Sequence, residues 1–132
     1  EKITTDKVQF VQADITTDWR FRNQLYDLVS FSLVLEHIET LEHIFKETAA
    51  ALKPGGHVYI GELHPFKQYA GSKARFETAE GVQVVDCFNH HITDFIQAAQ
   101  KNGLTLVEIN EYFDEDNRNE MPRILTLLFE KI

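Results

Sequence analysis

Tyr26-Asp27-Leu28-Val29-Ser30-Phe31-Ser32-Leu33-Val34-Leu35 is the stretch on which the fold turns. Its β-branched and aromatic content reads as a strand. A strand with one wet face alternates polar and apolar residues, whereas this one is apolar on both faces. That pattern belongs to an interior strand covered on two sides, as in an α/β sheet, or to a short buried helix, which periodicity alone does not separate from it. Downstream, Leu41, Ile44, Phe45, Thr48, Ala49 and Leu52 recur at spacings of three and four behind Thr40, a candidate N-cap, in the pattern of an amphipathic helix. Pro54-Gly55-Gly56 stops that helix, and His57 to Leu63 reads as the next strand. Strand, helix and strand make a βαβ unit, for which parallel strands and a right-handed crossover are expected.

Working outward, Val8 to Ile15 reads as a further strand before this unit. After it, Thr93 to Asn102 reads as a helix with Phe95, Ile96 and Ala99 facing inward and Gly103 as its left-handed cap. Leu104 to Phe113 and Ile124 to Lys131 read as long strands joined by the turn-like run Asp114 to Asn119, hence an antiparallel pair at the end of the sheet. Pro65 to Phe88 is too long for an ordinary connection. It predicts a lid or a small hairpin, Ala74 to Thr78 against Val82 to Val85, hinged near Gly81. The organisation is thus one domain over residues 1–132 with a lid or hairpin at about 65–88.

The chain has 132 residues, 43% of them hydrophobic and 26% charged, the balance of a globular domain with its own core. A formal charge of −8 opposes nonspecific binding to nucleic acid or to an anionic membrane surface, so neither is an expected partner. Cys87 is the single cysteine, which excludes an intrachain disulfide and suits a reducing cytoplasm. No apolar run approaches the roughly 18 residues of a membrane-spanning helix.

Four ordered blocks carry a family resemblance: Asp14-Ile15, the run Tyr26 to Ile38, the Leu52-Lys53-Pro54-Gly55-Gly56 turn, and the final helix with its long hairpin. In order and spacing they resemble the class I S-adenosylmethionine-dependent methyltransferases over nearly the whole chain. The resemblance implies a Rossmann-like α/β sheet, mostly parallel with a C-terminal antiparallel pair. Such enzymes open with a strand, a glycine-rich turn and a helix, then a second strand ending in an acid for the ribose hydroxyls. Here the six glycines fall at 55, 56, 61, 71, 81 and 103, and no subset makes G-x-G-x-x-G. The chain therefore resembles the C-terminal half or more of such an enzyme, N-terminally truncated relative to the pattern. Either it is a piece of a longer protein or those segments were lost.

By resemblance, Asp14 accepts a hydrogen bond from the adenine amino group, Ile15 packs on the ring, and Ser32 and Leu33 offer backbone contacts to the methionine end of the cofactor. The residues themselves leave other roles open. Asp14 is also a turn initiator for Thr16-Thr17, and Ser32 and Leu33 also suit ordinary sheet bonding. Glu36 and His37 follow one strand and Glu62 and His64 the next, so both pairs belong on one rim of the sheet. His37 and His64 are the candidate proton acceptors, since an acceptor hydroxyl or amine loses a proton as it takes the methyl group. Each also suits a structural place, His37 at a helix entry and His64 in the turn before Pro65. Lys67, Lys73 and Arg75 with Tyr69 and Phe76 form a basic, aromatic patch, so that Lys67, Tyr69, Arg75 and His91 are substrate-side candidates; a solvated mobile loop is the plainer alternative. Cys87, His90, His91 and His64 lack the spacing of a zinc site, and Asp114 to Asp116 lack the glycine and terminal glutamate of a calcium loop, so no metal is expected.

These readings converge on methyl transfer from S-adenosylmethionine to a small-molecule O, N or C nucleophile in the intact protein, with the cofactor held weakly or not at all by this chain alone. The competing expectation is a non-catalytic remnant serving as an interaction or assembly module. Because the strand at Tyr26 to Leu35 lacks its usual neighbour on one side, a homo-oligomer through that edge is also expected.

Overall fold

The computed structural model describes residues 8–20, 24–65, 75–78, 81–84 and 88–132, with backbone only for 75–78 and 81–84. Strand β1 (Tyr26–Ser32) is followed by a 3-10 turn (Leu35–His37), helix α1 (Leu41–Ala51) and strand β2 (Leu52–Leu63). Two short strands, β3 (Arg75–Thr78) and β4 (Gly81–Val84), precede helix α2 (Ile92–Lys101), strand β5 (Leu104–Tyr112), a second 3-10 turn (Asp114–Asp116) and strand β6 (Ile124–Lys131). The main sheet has the order β1-β2-β6-β5, and β3-β4 form a separate antiparallel hairpin in the long connection, as the sequence predicts.

Strands β1 and β2 pair in parallel, while β6 is antiparallel to both β2 and β5. Three strands therefore run one way and β6 alone is reversed, so that β1-β2 is the parallel pairing and both pairings of β6 are antiparallel. One expected strand is absent. Val8 to Asp14 forms no strand, and Val8, Phe10 and Val11 are exposed. β-propensity needs a paired neighbour to become a strand, and in this sheet the segment pairs with none.

Helix α1 buries Leu41, Ile44, Phe45, Thr48 and Ala49 against the sheet, the predicted face. Thr40 stands at its N-cap position, but its side chain makes no capping bond. At the other end, Lys131 Nζ donates to the carbonyls of Ala49 (2.6 Å) and Leu52 (2.9 Å), adding a charged donor at the helix end, where the Ala49 carbonyl also accepts the Leu52 N–H. Pairing of β2 begins at Leu52, opposite Tyr26, and then skips to His57 opposite Leu28, so Lys53 to Gly56 bulge out of the ladder. A Cβ on Gly56 would stand 2.9 Å from the Lys53 carbonyl oxygen and 3.2 Å from that of Asp27, which is why a glycine closes this bulge. Helix α2 ends as expected, with Gly103 at φ +78°.

Val58, Ile60, Leu125, Leu127 and Phe129 from the central strands meet Phe45 of α1 and Phe95 and Ala99 of α2 in one core. Phe45 and Phe129 pack edge to face with centroids 6.0 Å apart. Trp19 closes one side against Phe31 at 6.4 Å and donates its indole N–H to the Ile15 carbonyl at 2.9 Å. Among the described residues no helix is long and apolar enough to cross a membrane.

Candidate functional site

The rim at the carboxyl ends of β1 and β2 is where an open α/β sheet presents its crevice. At the end of β1, Ser32 pairs with Gly61, and Leu33 then leaves the strand with φ +55°, in the left-handed region. A residue with a Cβ pays about 1–2 kcal/mol for that conformation, and such strain concentrates at functional turns. The Leu33 N–H is tied to the Gly61 carbonyl at 2.8 Å, and its side chain is half exposed. Nothing in the local sequence signals a left-handed leucine.

The following turn is held by Glu62, at the end of β2. Its Oε2 accepts the Val34 N–H at 3.3 Å and its Oε1 the Glu36 N–H at 3.2 Å. Both Glu62 and Glu36 are buried. Burial pushes the Glu62 carboxyl up to about 7, against the pull of the backbone N–H groups of Leu35, Val34 and Glu36; the Glu36 carboxylate adds to the rise.

His37 ends the 3-10 turn with its Nε2 3.5 Å from Glu36 Oε1 and about a third of its side chain exposed. His64 is fully buried, and its Nε2 lies 2.6 Å from Glu111 Oε2 on β5. A carboxylate accepts only, so this bond places the imidazole proton on Nε2. The two histidines thus share the rim but differ in access. Glu111 was not legible from strand alternation. Leu104 and Leu106 face the core, and a bulge between Leu106 and Glu108 then brings Ile109 and Glu111, rather than Glu108, into line with buried Leu127 and Leu125.

Asp14 begins a turn rather than ending a strand. Its Oδ1 accepts the Thr16 hydroxyl at 2.6 Å and the Thr16 N–H at 2.9 Å, and these bonds hold its carboxyl below the usual carboxylate range. Ile15 is half-buried against the core. The turn is anchored to α1, since the Thr17 carbonyl lies 2.9 Å from His43 Nε2. A cavity of about 240 Å³ between the two segments is lined by Thr16, Ile38, Glu39, Thr40 and His43. The structure therefore brings the Asp14 turn beside the loop that follows His37.

His90 is buried beside Phe95, with Nε2 2.6 Å from the Ile38 carbonyl, and fastens the entry of α2 to the same loop. His91 sits at the N-cap of α2, its N–H donated to the Asp94 carboxylate at 2.8 Å. Lys67, Tyr69 and Cys87, and the side chain of Arg75, lie outside the described residues. Asp114 serves Arg123 through a bidentate pair at 2.6 and 2.8 Å. Among the described residues no group of three His, Cys, Asp or Glu side chains is placed to hold a metal ion.

Two polar or exposed features among the described residues could meet S-adenosylmethionine, the Asp14 carboxylate on its hydrogen-bonded turn and the half-exposed Leu33 turn at the strand rim. The glycine-rich cofactor-loop pattern G-x-G-x-x-G does not occur in the sequence.

Comparison with known proteins bears on the fold and the family. A structure of an S-adenosylmethionine dependent methyltransferase from Listeria monocytogenes superposes with a TM-score of 0.78 at 21% identity, covering 99% of this chain and 72% of that one. One from Mesorhizobium loti gives 0.67 at 17% identity, covering 90% and 68%. A ubiquinone biosynthesis O-methyltransferase of Vibrio vulnificus is 33% identical over 61 residues, which is 46% of this chain and 26% of the relative. The chain thus matches about a quarter of the length of that curated relative. The family profile described as a methyltransferase domain matches residues 1–109. Fold and profile agree over most of the chain, which therefore belongs to the methyltransferase domain family.

Proposed function

We propose that the protein transfers a methyl group from S-adenosylmethionine to a small-molecule nucleophile, and that the rim formed by β1 and β2 is its site. The family match over residues 1–109, which takes in both strand ends, carries this reading. The local likeness to an O-methyltransferase supports an oxygen nucleophile. When bound, the cofactor supplies an electrophilic methyl on a sulfonium, so the protein's own part is alignment, exclusion of water and removal of a proton.

In this reading Asp14 accepts the adenine amino group and Ile15 backs the ring, while Ser32 and Leu33 border the methionine end. His37, with its imidazole partly exposed, takes the acceptor's proton. His64, with its tautomer set by Glu111, is the second candidate for that role. Lys67, Tyr69, Arg75 and His91 are assigned to the acceptor side. With no G-x-G-x-x-G in its sequence, the 132-residue chain by itself holds the cofactor weakly.

The test is to incubate the protein encoded by the whole reading frame with methyl-labelled S-adenosylmethionine and a panel of phenols, catechols and amines. Formation of S-adenosylhomocysteine together with a methylated acceptor is the expected result. A protein that binds the cofactor and methylates none of them overturns it.

A further inference from the structure

The carboxylate of Glu62 stands beneath the turn that borders the rim and is 2% exposed. Leu33 enters that turn with φ +55°, which strands the next peptide N–H groups outside the sheet ladder. Two of them, those of Val34 and Glu36, bond to the two oxygens of the same carboxylate at 3.3 and 3.2 Å. An unpaired buried N–H is costly, and a carboxylate with two oxygens is the side chain able to take several at once. The turn is also tied from the residue before, since Gly61 accepts the Leu33 N–H at 2.8 Å. Neighbouring residues of β2 thus fix both ends of a strained loop that begins on β1.

We propose that Glu62 is a positioning residue: by collecting the Val34 and Glu36 N–H groups it locks the left-handed Leu33 turn and so sets the shape of the cofactor-side rim. The link to the cofactor rests on the function proposed above; the lock on the loop does not. A buried carboxylate facing the buried Glu36 is a poor choice for stability alone, because an apolar side chain would avoid its desolvation. What the carboxylate supplies there is the acceptor pair that holds one loop conformation.

Amide hydrogen exchange and proton chemical shifts of the chain separate these claims, using Glu62→Ala and the near-isosteric Glu62→Gln. In Glu62→Ala, exchange at Val34 and Glu36 accelerates by at least about tenfold while Val58 and Ile60 in the ladder stay within about twofold. Glu62→Gln keeps one acceptor oxygen, so it gives a partial rescue, with the Val34 and Glu36 amide protons moving upfield. Unchanged exchange at both amides overturns the lock, and so does an acceleration of equal size throughout the ladder. Should Glu62→Ala fail to fold, the Glu62→Gln shifts decide alone. The protein encoded by the whole reading frame, wild type and variants, is then titrated with millimolar S-adenosylhomocysteine and followed at Ser32 and Leu33. Wild-type shifts that vanish in the variants support the role at the rim, and shifts that persist unchanged overturn it. Wild-type whole protein that shows none at all instead overturns the cofactor reading and leaves the exchange result standing.

Discussion

The buried Glu62 carboxyl makes stability depend on pH in an unusual direction. Burial, the largest influence, lifts it from 4.5 to about 7 although three backbone N–H groups favour its charged form. Below pH 4.5 the group is protonated in the folded and unfolded chains alike. Between 4.5 and about 7 the unfolded chain releases the proton while the folded chain keeps it. The folded state then binds more protons, so its stability falls as pH rises through this window and levels off above it. At about 1.4 kcal/mol per pH unit the interval amounts to a loss of about 3 kcal/mol. Replacing Glu62 by Gln removes this titration and leaves the others. Urea unfolding of both proteins, followed by circular dichroism from pH 5 to 8, isolates it as a difference. Glu62→Gln is expected to cost most at pH 5 and progressively less toward pH 8, where it is neutral or stabilising. A difference that stays constant over that range, or that grows with pH, would refute the burial argument.

Other consequences are more local. Phe129→Ala opens a cavity between β6 and Phe45 and should cost about 3–5 kcal/mol in the same urea assay, whereas Phe129→Leu should cost clearly less. Lys131→Met leaves the Ala49 and Leu52 carbonyls without their ammonium donor and should cost about 1 kcal/mol, seen also as fraying of the last turn of α1 in amide exchange. Gly103→Ala forces a Cβ into a left-handed cap at φ +78° and should lower stability by about 1 kcal/mol. Finally, β1 is an edge strand of the described sheet with Leu28 exposed, so sedimentation of the chain is expected to show a concentration-dependent dimer. A folded monomer at high micromolar concentration contradicts that.

Local chemistry made much of this protein legible in one dimension. The apolar run from Tyr26, the three-and-four spacing through α1, the glycine at 103 and the turn residues after Phe113 each settle a conformation by interactions within a few residues. Their elements fall close to where periodicity puts them, with two corrections: β1, read as an interior strand through Leu35, ends at Ser32 on the edge of the described sheet with Leu28 exposed, and β2 starts at Leu52 rather than His57. Even the hairpin in the long connection follows from short β-rich runs around a glycine. Val8 to Asp14 shows the limit of such reasoning, because its β-propensity is real but strand formation depends on a neighbour that the run itself does not encode.

The site lies beyond that limit for the same reason. That Glu36, His37, Glu62 and His64 share a rim follows from strand order, but their partners do not. Glu111 reaches His64 only because a bulge in β5 resets which residues face Leu125 and Leu127. His90 meets Ile38 across 52 positions of sequence, and Lys131 meets Ala49 across 82. Leu33 adopts a conformation its own side chain disfavours, because hydrogen bonds to Gly61 and around Glu62 outweigh a local cost of about 1–2 kcal/mol. Sequence determined the elements because their energies are short-range. Tertiary structure decided which histidine is buried, which carboxylate is held near neutrality and which turn is strained, because those energies arise only when distant strands close on one another.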